Sequence, residues 1–264
     1  MMQGDLMNYF IEGLQGSGKS TLTAQLSEKH KDHTAFREGD YSPVELAWCA
    51  WMTDEAYEKA LEKYSSIRDE IIAKTVTEGS HKVMRYTQIH TDISGFYKDM
   101  EQYEIYNGRI GSDEFSRIVL SRFRAWNGSE QIFECSLFQN IIEDMMLFRV
   151  MSDDEIISFY SEIREALEGR EYRILYLRSD DIEQNIAQIR RERSDGNGNE
   201  LWFPVMIDYF DNCPYSKAHN KSGGKDLIGH LSHRQELELR LCREIFADKA
   251  VILKSKAYDL SSID

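Results

Sequence analysis

Residues Gly13-Leu14-Gln15-Gly16-Ser17-Gly18-Lys19-Ser20 fit the pattern GxxxxGK[ST], and Thr21 follows directly. Each residue type suits one part of holding a chain of phosphates. Gly13, Gly16 and Gly18 let the backbone bend close to phosphate oxygens. The loop N–H groups, that of Ser17 among them, then point inward as donors. Lys19 adds a mobile positive charge, and the Ser20 hydroxyl is a hard oxygen ligand suited to Mg²⁺. A helix opening at Ser20 adds its positive end to the same place. The chemistry implied is binding of a nucleoside triphosphate, with ATP and Mg²⁺ expected. The pattern is silent on what is then done with the triphosphate.

Other residues could act on the far side of such a reaction. Glu38 and Asp40 follow a short strand pattern at Thr34–Arg37. Parallel sheets place their sites beyond the C-terminal ends of strands, so either carboxylate could orient or deprotonate an acceptor hydroxyl. Each also fits a carboxylate that merely stabilises a turn. Glu134 ends another apolar run and could hold Mg²⁺ through water, or be a satisfied buried acid. Arg190 and Arg193 are three apart, which puts them on one helix face; a solvated charge run explains them as well. Arg117 and Arg124 could face an anion or bridge to surface acids. Tyr41, Trp48, Trp51, Tyr86, Tyr97 and Tyr103 could stack on a planar base, although aromatic helix faces usually belong to the core. Cys135 reads as an inert buried thiol.

Strands and helices must position these groups. Short apolar runs at Leu6–Glu12, Thr34–Arg37, Gln131–Cys135, Glu171–Leu177 and Lys249–Leu253 read as five strands. Helical patterns lie between them. Leu22 and Leu26 share a face. Ser152 and Glu155 form a capping box ahead of Ile156, Phe159, Tyr160, Ile163 and Leu167, and Gly169 stands where a C-cap belongs. Ile141, Met145 and Phe148 mark one shorter face, and Ile182, Ile186 and Ile189 another. The alternation predicts an α/β fold, a five-stranded parallel sheet flanked by helices. The stretch 41–130 is too long for one crossover. Tyr57, Leu61 and Tyr64, then Ile67 and Ile71, then Phe115, Ile118, Val119 and Arg122 give it helical faces. It is expected to be a large helical insertion supplying the acceptor pocket. The stretch 186–225, with its polar segment Arg190–Glu200, is expected to be a mobile lid after the fourth strand. Residues 1–264 thus read as a single domain.

Four places together resemble the P-loop nucleoside and nucleotide kinases, in particular the thymidylate kinase and deoxynucleoside kinase group. They are EGLQGSGKST at 12–21, FREGDYSP at 36–43, FECS at 133–136 and IRRERS at 189–194. The second is similar to the Arg-Glu-Pro-Gly stretch after the second strand, the third to the acid-arginine stretch ending the third strand, and the fourth to an arginine-bearing lid. The resemblance implies a small-molecule kinase whose acceptor is a nucleoside or nucleoside monophosphate. Two positions depart from it. Cys135 stands at the arginine of the third stretch and Gly39 at the proline of the second, which implies a separate branch with its own acceptor.

Composition excludes several alternatives. Of 264 residues, 46 are acidic and 32 are Lys or Arg, a formal net charge of −14, so binding to nucleic acid or to an anionic membrane is disfavoured. Hydrophobic residues are 41% of the chain, enough for a buried core. The 4 cysteines form no CxxC pair, which leaves no zinc ribbon and points to reduced thiols. The first residues lack the pattern of a secretory leader, and no apolar run nears the roughly 20 residues of a membrane span. A cytoplasmic protein is expected, with a homodimer left open. No Asn-Lys-x-Asp motif for reading guanine occurs. A nucleotide-binding regulatory ATPase, or an interaction protein without a small-molecule acceptor, is the alternative to a kinase.

Overall fold

The computed structural model describes residues 7–195 and 197–260. Leu6 of the first predicted strand, the residues at 1–6 read for a leader, Gly196 of the predicted lid and residues 261–264 lie outside the described residues. In chain order the elements are β1 (Asn8–Gly13), α1 (Lys19–Lys29), β2 (Thr34–Phe36), β3 (Ala50–Thr53), α2 (Asp54–Lys63), α3 (Arg68–Ala73), β4 (Thr75–Glu78), β5 (His81–Met84), α4 (Phe96–Glu101) and α5 (Ser112–Ala125). There follow β6 (Gln131–Glu134), α6 (Gln139–Leu147), α7 (Asp153–Ala166), β7 (Tyr172–Arg178), α8 (Ile182–Glu192), α9 (Trp202–Asn212), α10 (Pro214–His219), α11 (Gly223–Glu244) and β8 (Ala250–Lys254). Two compact units result, one from the residues up to Ala35 with those from Asn127 onward, the other from Phe36–Trp126.

The first unit is built on a five-stranded parallel sheet in the order β2-β6-β1-β7-β8. β1 lies at its centre, with Ile11 opposite Glu134 of β6 and Glu12 opposite Tyr176 of β7. The period of two splits β1 between the two faces of the sheet. Tyr9 and Ile11 pack with Leu22 and Leu26 of α1 and with Leu175 and Leu177 of β7. Phe10 turns the other way and stacks on Phe133 at 4.9 Å. On that side Phe138, Tyr160, Tyr176 and Phe246 form a ring cluster. The predicted capping box is present: Ser152 accepts from Glu155 N–H, and the Glu155 carboxylate accepts from Ser152 N–H. With its parallel order and its glycine loop between β1 and α1, the unit has a parallel α/β fold.

The second unit keeps its own core. Tyr57, Leu61, Tyr64 and Ile71 are buried in it with Phe96 and Met100, and α5 buries Phe115, Ile118, Val119 and Arg122. The expectation of a wholly helical stretch is corrected here, because β3, β5 and β4 form a three-stranded antiparallel sheet. The cause is local. Thr75-Val76-Thr77 is a β-branched run, and Gly79, at a φ of 59°, closes a tight turn before His81-Lys82-Val83. Among the described residues no helix is long and apolar enough to cross a membrane. All four cysteines are buried, and none is in a disulfide.

Candidate functional site

The loop that leaves β1 is shaped by close approaches that leave no room for a side chain. A Cβ on Gly13 would lie 2.6 Å from the Leu177 carbonyl oxygen of β7. A Cβ on Gly16, at a φ of 72°, would overlap the Ile189 side chain of α8. Gly16→Ala should therefore lower unfolding free energy by about 1–3 kcal/mol, from the left-handed backbone cost plus the overlap. Chemical denaturation measures this, and wild-type stability would mean that α8 yields freely.

The loop then opens α1. Its N-cap is Gly18, which offers no side-chain acceptor, and no acidic residue occupies the first turn. The helix therefore presents uncapped N–H groups and its positive end, the arrangement that favours an anion. The Ser17 hydroxyl is buried without a hydrogen-bond partner. Lys19 is buried too, and its Nζ donates to the carbonyl oxygens of Gly13 and Leu14 at 2.8 Å each. Ser20 and Thr21 are exposed in the first turn.

The two residues expected to ligate metal meet. Ser20 Oγ donates to the Glu134 carboxylate. The register of β6 beside β1 brings them together, since it sets Glu134 opposite Ile11, just before the loop. A hydroxyl and a carboxylate oxygen are hard donors, and Mg²⁺ characteristically takes one or two carboxylates together with substrate phosphates and water. Among the described residues no group of three or more His, Cys, Asp or Glu could hold a metal ion. The donor set thus fits Mg²⁺ shared with phosphate oxygens.

Residue types and spacing gave no sign of three further groups that brace the loop. Asn185 Nδ2 of α8 donates to the Gln15 carbonyl at 2.8 Å. Ser255 Oγ donates to the Ser17 carbonyl at 2.8 Å. Lys256 Nζ donates to Asn185 Oδ1 at 3.2 Å and to Gln188 Oε1 at 3.0 Å. Lys256 and Ser255 lie just past β8, the end of the sheet where parallel folds place their ligands.

The arginines of the expected lid are engaged within that same segment. Arg190 makes paired hydrogen bonds to Glu200 at 2.8 and 2.9 Å, and its guanidinium lies 4.4 Å from the Phe203 ring centre. Arg193 caps α8 instead of sharing its face with Arg190, and sits 5.4 Å from the Trp202 ring centre. Ser194 bridges Glu200, and Gly198 N–H donates to the Asp195 carbonyl at 3.0 Å.

Glu38 and Asp40 belong to the second unit. Arg37 N–H donates to Asp40 Oδ2 at 2.8 Å, and Gln88 Nε2 donates to Asp40 Oδ1 at 2.7 Å. Both Asp40 oxygens thus hold the turn in place, while the Glu38 side chain is exposed. Gly39 lies between them at a φ of 85°, a conformation closed to proline. That explains one departure from the kinase resemblance. At the other, Cys135 is buried with a φ of 61°. Arg117 pairs with Glu114 at 3.7 Å, and Arg124 is exposed. Of the candidate stacking rings, Tyr86 is a core residue bonded to Glu104, Trp51 stacks on His81 at 4.4 Å, and Tyr41 donates to Glu78 at 2.7 Å. Tyr97 donates to the Ile89 carbonyl at 2.7 Å. Trp48, Tyr97 and Tyr103 keep exposed ring surface.

No family model matches the chain. No curated protein matches it. Among solved structures, a gluconokinase from Sinorhizobium meliloti 1021 is similar at 12% identity, with 97% of this chain and 86% of that one covered and a TM-score of 0.35. The deoxyadenosine kinase from M. mycoides, solved with bound dATP, is similar at 16% identity over 97% of this chain and 94% of that one, with a TM-score of 0.37.

Proposed function

We propose that the chain is an ATP-dependent phosphotransferase acting on a small molecule. The observation that carries this reading is the Ser20–Glu134 pair beside the Lys19 loop, a hydroxyl and a carboxylate placed to share a divalent cation with phosphate oxygens. In the reaction, the terminal phosphoryl group passes to an acceptor oxygen and ADP leaves. Such transfers are catalysed mainly by positioning and by neutralising charge. Lys19 and the loop N–H groups hold the phosphates, and Ser20 and Glu134 hold Mg²⁺, which when bound neutralises phosphate charge. Arg190 and Arg193 add to this charge if they exchange their lid partners for phosphate. Glu38, just past β2, takes the proton of an acceptor hydroxyl.

The resemblance names two acceptor classes, nucleosides and nucleoside monophosphates. A hydroxyl needs a base, whereas an acceptor phosphate needs a cation. Cys135, an uncharged buried residue, stands where the related kinases carry an arginine. That substitution favours the nucleoside.

A screen of ATP consumption against nucleosides, monophosphates, sugars and aminoglycoside-like alcohols tests the reading. One class should raise the rate about a hundredfold over ATP alone. A rate that rises only with a macromolecule would replace the kinase with a regulatory ATPase. In the same assay, Glu134→Gln should raise the Mg²⁺ requirement about tenfold through loss of one anionic oxygen. An unchanged Mg²⁺ requirement would remove Glu134 from the metal site.

A further inference from the structure

The phosphate loop is backed by a fully buried charge that the proposed reaction does not use. Arg234, on α11, has 0% exposure, the same as its neighbour Glu238. Its Nη1 donates to Glu143 Oε2 of α6 at 2.8 Å, and its Nε lies 3.1 Å from Glu238 Oε1. Its Nη2 donates at 2.9 Å to Gln15 Oε1, in the middle of the loop. The carboxylates are fixed in turn. His230 Nε2 lies 3.0 Å from Glu143 Oε2, and Tyr176 donates to Glu238 Oε2 at 2.6 Å. Burial alone would push Glu143 up, but Arg234 and His230 outweigh it and hold the carboxyl at about 2. The Glu143–Arg234 pair is therefore ionised.

A buried ion pair is weak evidence for stability, since apolar residues of similar volume often serve as well. What the guanidinium offers is geometry. It is a rigid planar fork that only donates, so the atom of Gln15 facing it is the carbonyl oxygen. Nη1 is hydrogen-bonded to a carboxylate on α6 and Nε lies within ion-pair distance of one on α11, which leaves Nη2 aimed at the loop. Asn185 holds the Gln15 carbonyl from α8. Gln15 is thus gripped through both its side chain and its backbone, between Gly13 and Lys19.

We propose that Arg234 is a positioning residue for the phosphate loop, acting through the Gln15 side chain to hold residues 14–17 in the conformation that meets a triphosphate. The proposal rests on the nucleotide-binding reading of the loop. A loop ordered in advance does not spend binding free energy on being ordered. Glu12, the last residue before Gly13, is also fully buried behind the loop and accepts from Leu137 N–H at 2.7 Å. The backbone on the near side of the loop is therefore fixed independently of Arg234.

The test uses Gln15→Met, which keeps side-chain length and removes the acceptor, and Arg234→Lys, which keeps the charge but shortens its reach. Without nucleotide, amide hydrogen exchange at residues 14–18 should quicken about tenfold in Gln15→Met, while the thermal midpoint stays within about 2 °C. ATP·Mg²⁺ affinity should fall about five- to tenfold in each variant. The double variant should be no weaker than either single one to within about twofold, because both changes break one link. Wild-type exchange in Gln15→Met overturns the proposal, as do losses that multiply in the double variant. If Arg234→Lys does not fold, exchange in Gln15→Met decides alone. If the wild-type protein binds no ATP, the nucleotide reading fails while the exchange measurement still decides whether Gln15 is an anchor.

Discussion

Lys19→Ala should weaken ATP·Mg²⁺ binding by about ten- to a hundredfold, the equivalent of a charge-assisted contact of about 1.5–3 kcal/mol. The geometry supports the upper part of that range. Lys19 is only 7% exposed, so its charge is little screened by solvent. It rests on two carbonyl oxygens of its own loop, Gly13 and Leu14, which it can give up for a phosphate at small cost. The variant should remain folded, because it removes a donor to two carbonyls, and Glu12 behind the loop, which burial already pushes up to about 7, can take a proton. Titration calorimetry at fixed salt measures the change. Unchanged affinity in a folded Lys19→Ala protein would end the nucleotide assignment.

Glu38→Gln should reduce acceptor-dependent turnover by about a hundredfold or more, in keeping with the loss of a general base, and leave ATP affinity within a few fold. Sequence position alone ranked Glu38 and Asp40 together. Asp40 spends one oxygen on Arg37 N–H and the other on Gln88, which supports proposing Glu38 as the base. Asp40→Asn should therefore act on the turn, lowering the stability of the second unit by about 1 kcal/mol and turnover by less than about tenfold. Initial rates with an identified acceptor, together with denaturation curves, distinguish the two. A larger turnover loss in Asp40→Asn than in Glu38→Gln would reverse the assignment.

The strands of the main sheet could be read from the sequence because each is a short apolar run, and the loop because its chemistry is local. Ser20 and Glu134 could each be named for Mg²⁺ from the sequence, Ser20 by the loop pattern and Glu134 by its place at the end of a strand; their contact is a finding of the structure. The small antiparallel sheet was missed although TVTEGSHKV carries a β-branched run and a turn glycine. The helical periodicity on either side of it dominated the reading. Arg234 and Glu238 were missed for a different reason. They occupy the stripe of Leu227, Leu231, Leu237 and Leu241 on α11, and charged residues on a helix are ordinarily taken as its wet face. A charge on an apolar stripe was the available signal. Asn185 and Lys256 left none, because a neutral amide and an exposed lysine acquire meaning only when the fold brings them to the loop.

The central place of β1 has a consequence for the order in which the chain can assemble during synthesis. Tyr9 pairs with Ile132 on one side and with Arg173 on the other. The strand made first is the one whose two partners are made much later. At roughly 5–20 residues per second on the ribosome, β1 waits on the order of ten seconds for β6 and longer for β7, with both of its edges open. The three-stranded sheet of the second unit, with its register at Ala50–Met84 and Thr75–Met84, is made entirely within that interval. Local pairing closes faster than distant pairing. The three-stranded sheet can therefore form while the loop after β1 is still attached to an unpaired strand, and that loop gains both flanking strands only once β7 has been made.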